Sequence, residues 1–163
     1  MIKITTNVDS VIAHLKKYRD NINPKIKIFL ERLGNIGVDT ATIKFNTAQY
    51  DGDKQVDVSP IEWVSDTSIK IRASGASVLF VEFGSGLKAV FSHPQAEEFG
   101  YGAGTWSENE ALGGKGHWAD PKGWYYEHGK ISHGNPPARA MYDAGKAMRE
   151  QIGTIAAEVF KYD

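Results

Sequence analysis

From Val8 onward apolar residues fall at Val8, Val11, Ile12, Leu15 and Tyr18, steps of three and four that place them on one face of a helix. Asn7 or Thr6 can supply the side-chain acceptor for its first turn, so the spacing predicts a helix over about 8–20, with a short alternating strand at 2–6 before it. Asn23-Pro24 repeats the order of a helix start, an acceptor followed by a ring of fixed φ. The stripe after it, Ile26, Phe29, Leu30, Leu33, Gly37, Ala41 and Phe45, predicts a second helix of about six turns. Gly34 and Gly37 each cost such a helix up to about 1 kcal/mol against alanine. Either a neighbouring backbone approaches closely there, or the helix is weakened or bent.

At Val56 the period changes to two. Val56 and Val58, Ile61 and Trp63, then Ile69, Ile71 and Ala73 alternate with polar residues, and Ser65-Asp66-Thr67-Ser68 supplies turn chemistry between them. This predicts an antiparallel hairpin or small meander. Val78-Leu79-Phe80-Val81-Glu82-Phe83 is too continuous for period to decide, and reads as a buried strand or a turn of helix leading to Gly84 and Gly86. Residues 87–135 hold no sustained period and are punctuated by glycine throughout. Beyond them Asn135 can cap and Pro136-Pro137 can fill a first turn, while Met141, Gly145, Met148, Ile152, Ile155 and Val159 mark one seam of a helix over about 137–160. Helices at both ends around a small antiparallel sheet, with a long irregular Gly/aromatic loop, define an α+β single domain over 1–163.

Charge and composition narrow the function. With 19 basic and 20 acidic residues the net charge is −1, so no overall field draws the chain to nucleic acid or to an anionic membrane. The chain has no cysteine, which excludes a disulfide framework, a thiolate nucleophile and a cysteine-ligated zinc, and suits a reducing cytoplasm. The first residues lack a signal-peptide core and no window reaches the ~18 apolar residues of a membrane span, so a soluble protein without a cleaved signal is expected.

The long excursion is the candidate working part, because compact domains rarely keep connections beyond about 15 residues unless these bind something or are disordered. Its aromatic set, Phe99, Tyr101, Trp106, Trp118, Trp124, Tyr125 and Tyr126, is of the kind that anchors protein interfaces, with some rings expected to hold the loop and others to meet another subunit. Trp106, Trp118 and Trp124 could instead stack on sugars, which makes a carbohydrate-binding module the first rival. A metal-dependent hydrolase using His93, His117 and Asp120 is the second, although no pair stands at HExxH spacing on a helix. Carboxylates at Glu97-Glu98 or Glu108 and Glu110 read as a solvated charge run, since a catalytic pair would have to flank a pocket with one pKa raised by burial, and the serine of Gly84-Ser85-Gly86 and the glycines of Gly100-Tyr101-Gly102-Ala103-Gly104 fall outside the frames of nucleophile elbows and phosphate loops. No catalytic, metal or cofactor-binding residue is assigned. Glu82 either faces solvent on an edge or is a buried charge, with Arg139 as its possible partner.

Three stretches carry a family resemblance: Val81-Glu82-Phe83-Gly84-Ser85-Gly86, the excursion with Gly104-Thr105-Trp106 and Lys122-Gly123-Trp124-Tyr125-Tyr126, and Gly134-Asn135-Pro136-Pro137-Ala138-Arg139-Ala140-Met141-Tyr142. In this order they resemble the tail-component family of long-tailed bacteriophages, neck or tail-completion proteins related to the minor tail protein Z type. In the usual pattern of that family the last helix opens with a small residue, arginine and proline before an aromatic, whereas here the prolines precede Ala138-Arg139. The resemblance implies a virion protein without catalysis or cofactor that forms a homo-oligomeric ring, a hexamer, where the tail tube meets the connector. It further implies the connector, tail terminator or tail tube as partners, contact with DNA only in transit, no membrane, and residence in the host cytoplasm before the virion. The interface would then comprise Phe99, Tyr101, Trp106, Trp118, Trp124, Tyr125, Tyr126 and Arg139.

Overall fold

A computed structural model describes residues 8–89, 93–96, 98–99, 124–126 and 130–161. The order is a helix α1 (Val8–Thr47), four short strands β1 (Asp57–Val58), β2 (Glu62–Ser65), β3 (Ser68–Lys70) and β4 (Ala73–Ser74), and a short helix α2 (Val78–Phe83) running into a 3₁₀ turn at Gly86–Ala89. Strands β5 (Trp124–Tyr126) and β6 (Lys130–Ser132) and the helix α3 (Ala140–Val159) complete it. The predicted mixture of helix and sheet is what the chain adopts. The strand expected at 2–6 lies outside the described residues.

The two helices expected at the N-terminus are one. Pro24 sits inside the 40-residue α1, although its missing N–H and its ring cost an interior helix position about 3 kcal/mol. The apolar line does not break there: Val8, Leu15, Ile22 and Phe29 recur every seventh residue across the proline. Just beyond it the turn is pinned to the end of α3, where Lys25 Nζ donates to the Lys161 carbonyl at 2.8 Å and the Phe29 and Phe160 rings lie 5.6 Å apart. Antiparallel to α1, α3 runs back along it, and Arg32 pairs with Glu158 near one end and Lys44 with Asp143 near the other.

On another side of α1 lies one hairpin made of two nested antiparallel ladders, β1 with β4 and β2 with β3. Pro60 stands between the ladders and has no N–H to give, while the Ser59 amide still reaches the Arg72 carbonyl at 2.8 Å. At the tip Lys27 of α1 hydrogen-bonds Asp66 at 2.8 Å and holds that carboxyl below its ordinary range. The glycines of α1 explain how the hairpin sits so close. A Cβ on Gly34 would stand 2.6 Å from the Ile61 side chain and 2.7 Å from that of Ile69, and one on Gly37 would meet Ile71 at 2.6 Å and Met148 at 2.7 Å. Close approach is therefore their use, with side chains of the hairpin and of α3 as the neighbours rather than a backbone.

The core gathers where the second half of α1, the hairpin base, α2 and the start of α3 converge: Ala41, Phe45, Val81, Ala140 and Ala144, flanked by Tyr50, Val56, Val78 and Met141. Small residues on both long helices let their axes come close. The seam expected on α3 is modified accordingly, since Ala140, Ala144 and Ile155 are buried while Ile152 is 45% exposed.

Candidate functional site

The first and last of the three resembling stretches meet at one hydrogen-bonded junction. Glu82, read as either a solvent-facing edge or a charge for Arg139, is buried at 5% exposure, and its partners are others. Its two oxygens accept from the Met141 amide at 3.0 Å and the Tyr142 amide at 3.1 Å, the second and third N–H groups of α3. Those are the donors that an N-cap side chain ordinarily satisfies. Here the cap comes from another helix, because Arg139 at the N-cap position has a left-handed backbone (φ 53°) and makes no side-chain cap bond. The negative carboxylate also lies at the positive end of the α3 dipole.

His93 completes the arrangement. It is buried, its Nε2 lies 3.3 Å from Glu82 Oε1, and its Nδ1 accepts from the Gln95 amide at 3.1 Å. That pair of bonds assigns the proton to Nε2 and leaves the imidazole neutral, with both nitrogens satisfied. Its ring also packs on Phe83, 4.4 Å between centroids, and on Tyr142 at 5.8 Å. As a metal ligand His93 would have to give up these contacts, and among the described residues no group of three His, Asp or Glu side chains is placed to hold an ion. His117 and Asp120 lie outside the described residues.

Backbone pairing fixes the rest. Ala138 donates to the Val81 carbonyl at 2.8 Å and Arg139 to the Glu82 carbonyl at 3.1 Å, so the two residues before α3 run along the end of α2 instead of opening a helix. For this reason α3 begins at Ala140, not at the prolines. Pro137 also disfavours helical backbone at Pro136. Asn135, expected as the cap of that helix, forms instead an antiparallel bridge with Ser85, each amide 3.0 Å from the other's carbonyl. Its side chain donates to Ser85 Oγ at 2.9 Å and accepts from the Asp51 amide at 3.0 Å. Ser132 Oγ donates to Asp51 Oδ2 at 3.0 Å and accepts from the Gly134 amide at 3.1 Å.

The junction therefore closes the base of the excursion. The chain leaves at Ser85 and returns at Asn135, and the two are tied there by the paired backbone bonds. A cleft of about 220 Å³ opens beside the stem, lined by Tyr50, Asp51, Phe80, Ser85, Ser132 and Asn135, smaller than the ~300 Å³ at which small-molecule sites begin.

Of the interface candidates, Phe99 is 56% exposed and still touches the body, its ring 5.9 Å from Phe83. Trp124, Tyr125 and Tyr126 form β5, paired antiparallel with Ser132, Ile131 and Lys130 of β6. Arg139 is exposed at the mouth of the junction. Tyr101, Trp106 and Trp118 lie outside the described residues. Sequence reasoning passed over Ser85, Gly134 and His93 as parts of one unit. The available signal was Glu82 itself, a lone carboxylate in an otherwise apolar run of six.

Compared with family models, with curated proteins and with solved structures, the chain matches none. No helix of the described residues is long and apolar enough to cross a membrane.

Proposed function

We propose that the chain is a virion structural protein of head–tail joining or tail completion, working through homo-oligomeric ring contacts at the neck of a long-tailed phage. The observation that supports this reading is the junction: Val81–Gly86 and the Gly134–Tyr142 stretch, which carry the resemblance, are bonded to each other through Glu82, Ser85 and Asn135 and hold the excursion at its two ends. A stem of this kind suits a protein that presents a loop to a neighbour. The helices and hairpin are the rigid body, the loop between residues 87 and 135 meets an adjacent subunit or the tube, and the exposed Arg139 stands where loop and body join. Aromatic anchors in such contacts each carry about 2 kcal/mol or more.

Trp118→Ala combined with Trp124→Ala is expected to leave the thermal unfolding of the monomer within a few degrees of the parent and to lower ring assembly, or the yield of infectious tailed particles on complementation, about tenfold or more. Normal particle yield from the double variant would count against the reading.

A further inference from the structure

The cleft beside the Ser85–Asn135 pairing has a lining of mixed chemistry. Two of its residues are aromatic, Tyr50 and Phe80, and the others are Asp51, Gly52, Ser85, Ser132 and Asn135. At about 220 Å³ it is too small for a drug-sized molecule. A cavity of about 150 Å³ takes a benzene ring, so this one has room for a single six-membered ring with its substituents.

The polar groups of the lining are unequally used. Ser132 Oγ donates to Asp51 and accepts from the Gly134 amide, so both of its roles are filled. Ser85 Oγ only accepts, from the Asn135 amide at 3.3 Å and from Asn135 Nδ2 at 2.9 Å, which takes both lone pairs and leaves its O–H to donate. Asn135 Nδ2 has two hydrogens and gives one of them to Ser85. Among the described residues neither the Ser85 hydroxyl hydrogen nor the second Asn135 amide hydrogen meets an acceptor. Asn135 is 3% exposed, and a buried donor without an acceptor is costly. Tyr50 adds a third hydroxyl. The outer edge of its ring rests on Gly52, where a Cβ would stand 2.9 Å from Tyr50 Cε1 and 3.3 Å from its Oη.

These groups select a ligand class. Asp51 disfavours an anion, and among the described residues no lysine or arginine lines the cleft to offset it. A Lys-like or Arg-like cation brings donors alone, which leaves the Ser85 and Asn135 hydrogens unmet. A hydrocarbon leaves every polar group unpaired. What satisfies the set is a neutral ring whose substituents both donate and accept and whose C–H face lies on an aromatic side chain.

We infer that the cleft is a subsite for one neutral pyranose ring, whose hydroxyl oxygens accept from Ser85 and Asn135 and whose C–H face lies against the Tyr50 ring. This site uses none of the loop tryptophans, and it stands independently of the neck reading.

The test is a titration of the full-length protein, followed by ¹H–¹⁵N spectra, with D-glucose, D-galactose, D-mannose and N-acetyl-D-glucosamine and with their methyl glycosides. For a ligand of about a dozen non-hydrogen atoms a Kd of about 1–10 mM is expected, seen as saturable shifts of the Asp51, Gly52 and Asn135 amides. Methyl glycosides that bind as well as the free sugars assign the ring to the end of a glycan; free sugars that bind alone assign it to a soluble sugar. Either result supports the subsite. Gly52 is not in the left-handed region, so Gly52→Val fills the cleft without touching the bonds of Ser85 and Asn135. It is expected to raise the Kd at least tenfold while thermal unfolding stays within a few degrees of the parent. Tyr50→Phe keeps the ring and removes the hydroxyl, with a rise of about threefold expected. No saturable shift with any of these sugars up to about 100 mM, ten times the weakest Kd expected, would overturn the inference and leave water as the group these donors meet. An unchanged Kd in Gly52→Val would overturn it by placing the sugar elsewhere. Methylguanidinium chloride that shifts the same amides at lower concentration than every sugar would overturn it in favour of a cation.

Discussion

Glu82→Ala lowers the stability of the folded chain by about 3–5 kcal/mol, read as the shift in urea midpoint at constant slope. Three donors lose their acceptor at once: the Met141 and Tyr142 amides and His93 Nε2. An N-cap exchanged for alanine costs about 0.5–2 kcal/mol in ordinary helices. Here the carboxylate is charged and buried, and hydrogen bonds to charged groups contribute about 1.5–3 kcal/mol each. The loss exceeds that of a local cap because Glu82 belongs to another element: with it goes the tie between α2 and α3, not only the first turn of α3. Glu82→Gln keeps one carbonyl oxygen and sets an NH₂ group against a donor, so about half the loss is expected. Arg139→Ala serves as the discriminating control. Its side chain is exposed and caps nothing, so a change within about 0.5 kcal/mol is expected, whereas an Arg139–Glu82 ion pair would make the two losses alike. A loss below about 1 kcal/mol for Glu82→Ala would show that the α3 amides find water or another acceptor.

Asn23-Pro24 and Asn135-Pro136 present the same local helix-start signal, and at neither does a helix begin. At the first a helix is already running through Pro24, and the end of α3 packs on the turn just after it, Phe29 against Phe160. At the second the donors and acceptors that would open a helix are claimed from a distance. Asn135 spends its side chain on Ser85 and Asp51, and the Ala138 and Arg139 amides go to carbonyls of α2. Capping preference is a local free energy of about 1 kcal/mol, and several tertiary hydrogen bonds outweigh it. What was legible is what the spacing of apolar residues carries: the stripes along α1, the alternation on either side of Ser65-Asp66-Thr67-Ser68, and the long final helix. Spacing did not separate strand from helix at Val78–Phe83, since a continuous apolar run has no period; the run is a six-residue helix whose N-cap, Ser77, makes no side-chain cap bond and donates its Oγ to the Asp53 carbonyl at 2.8 Å. Glu82 was legible as an anomaly but not as a cap, because its partners stand 59 and 60 residues further along the chain.

Gly134→Ala is expected to be as damaging as the loss of Glu82, through geometry alone. Gly134 has φ 84°, and a Cβ built on it would stand 2.0 Å from the Ser85 carbonyl oxygen and 2.8 Å from its carbon. The left-handed backbone costs an alanine about 1–2 kcal/mol. The contact cannot be relieved by turning a side chain, because the obstructing atoms are backbone and the same carbonyl accepts from the Asn135 amide at 3.0 Å. Either the bridge opens or Gly134 leaves its conformation, and both remove the Ser85–Asn135 pairing with the bond from the Asp51 amide to Asn135. A loss of about 3–5 kcal/mol follows, and it is centred on the stem, so amide exchange at Ser85 and Asn135 is expected to accelerate more than at Ala41 or Phe45. This separates the stem from the body: α1, the hairpin and most of α3 meet without Gly134, and helix content is expected to persist at temperatures where the junction amides are already open. If the excursion works by being presented from a closed base, Gly134→Ala also lowers assembly at temperatures where the body remains folded. Unchanged exchange at Ser85 and Asn135 in the variant would mean that the base closes without this pairing.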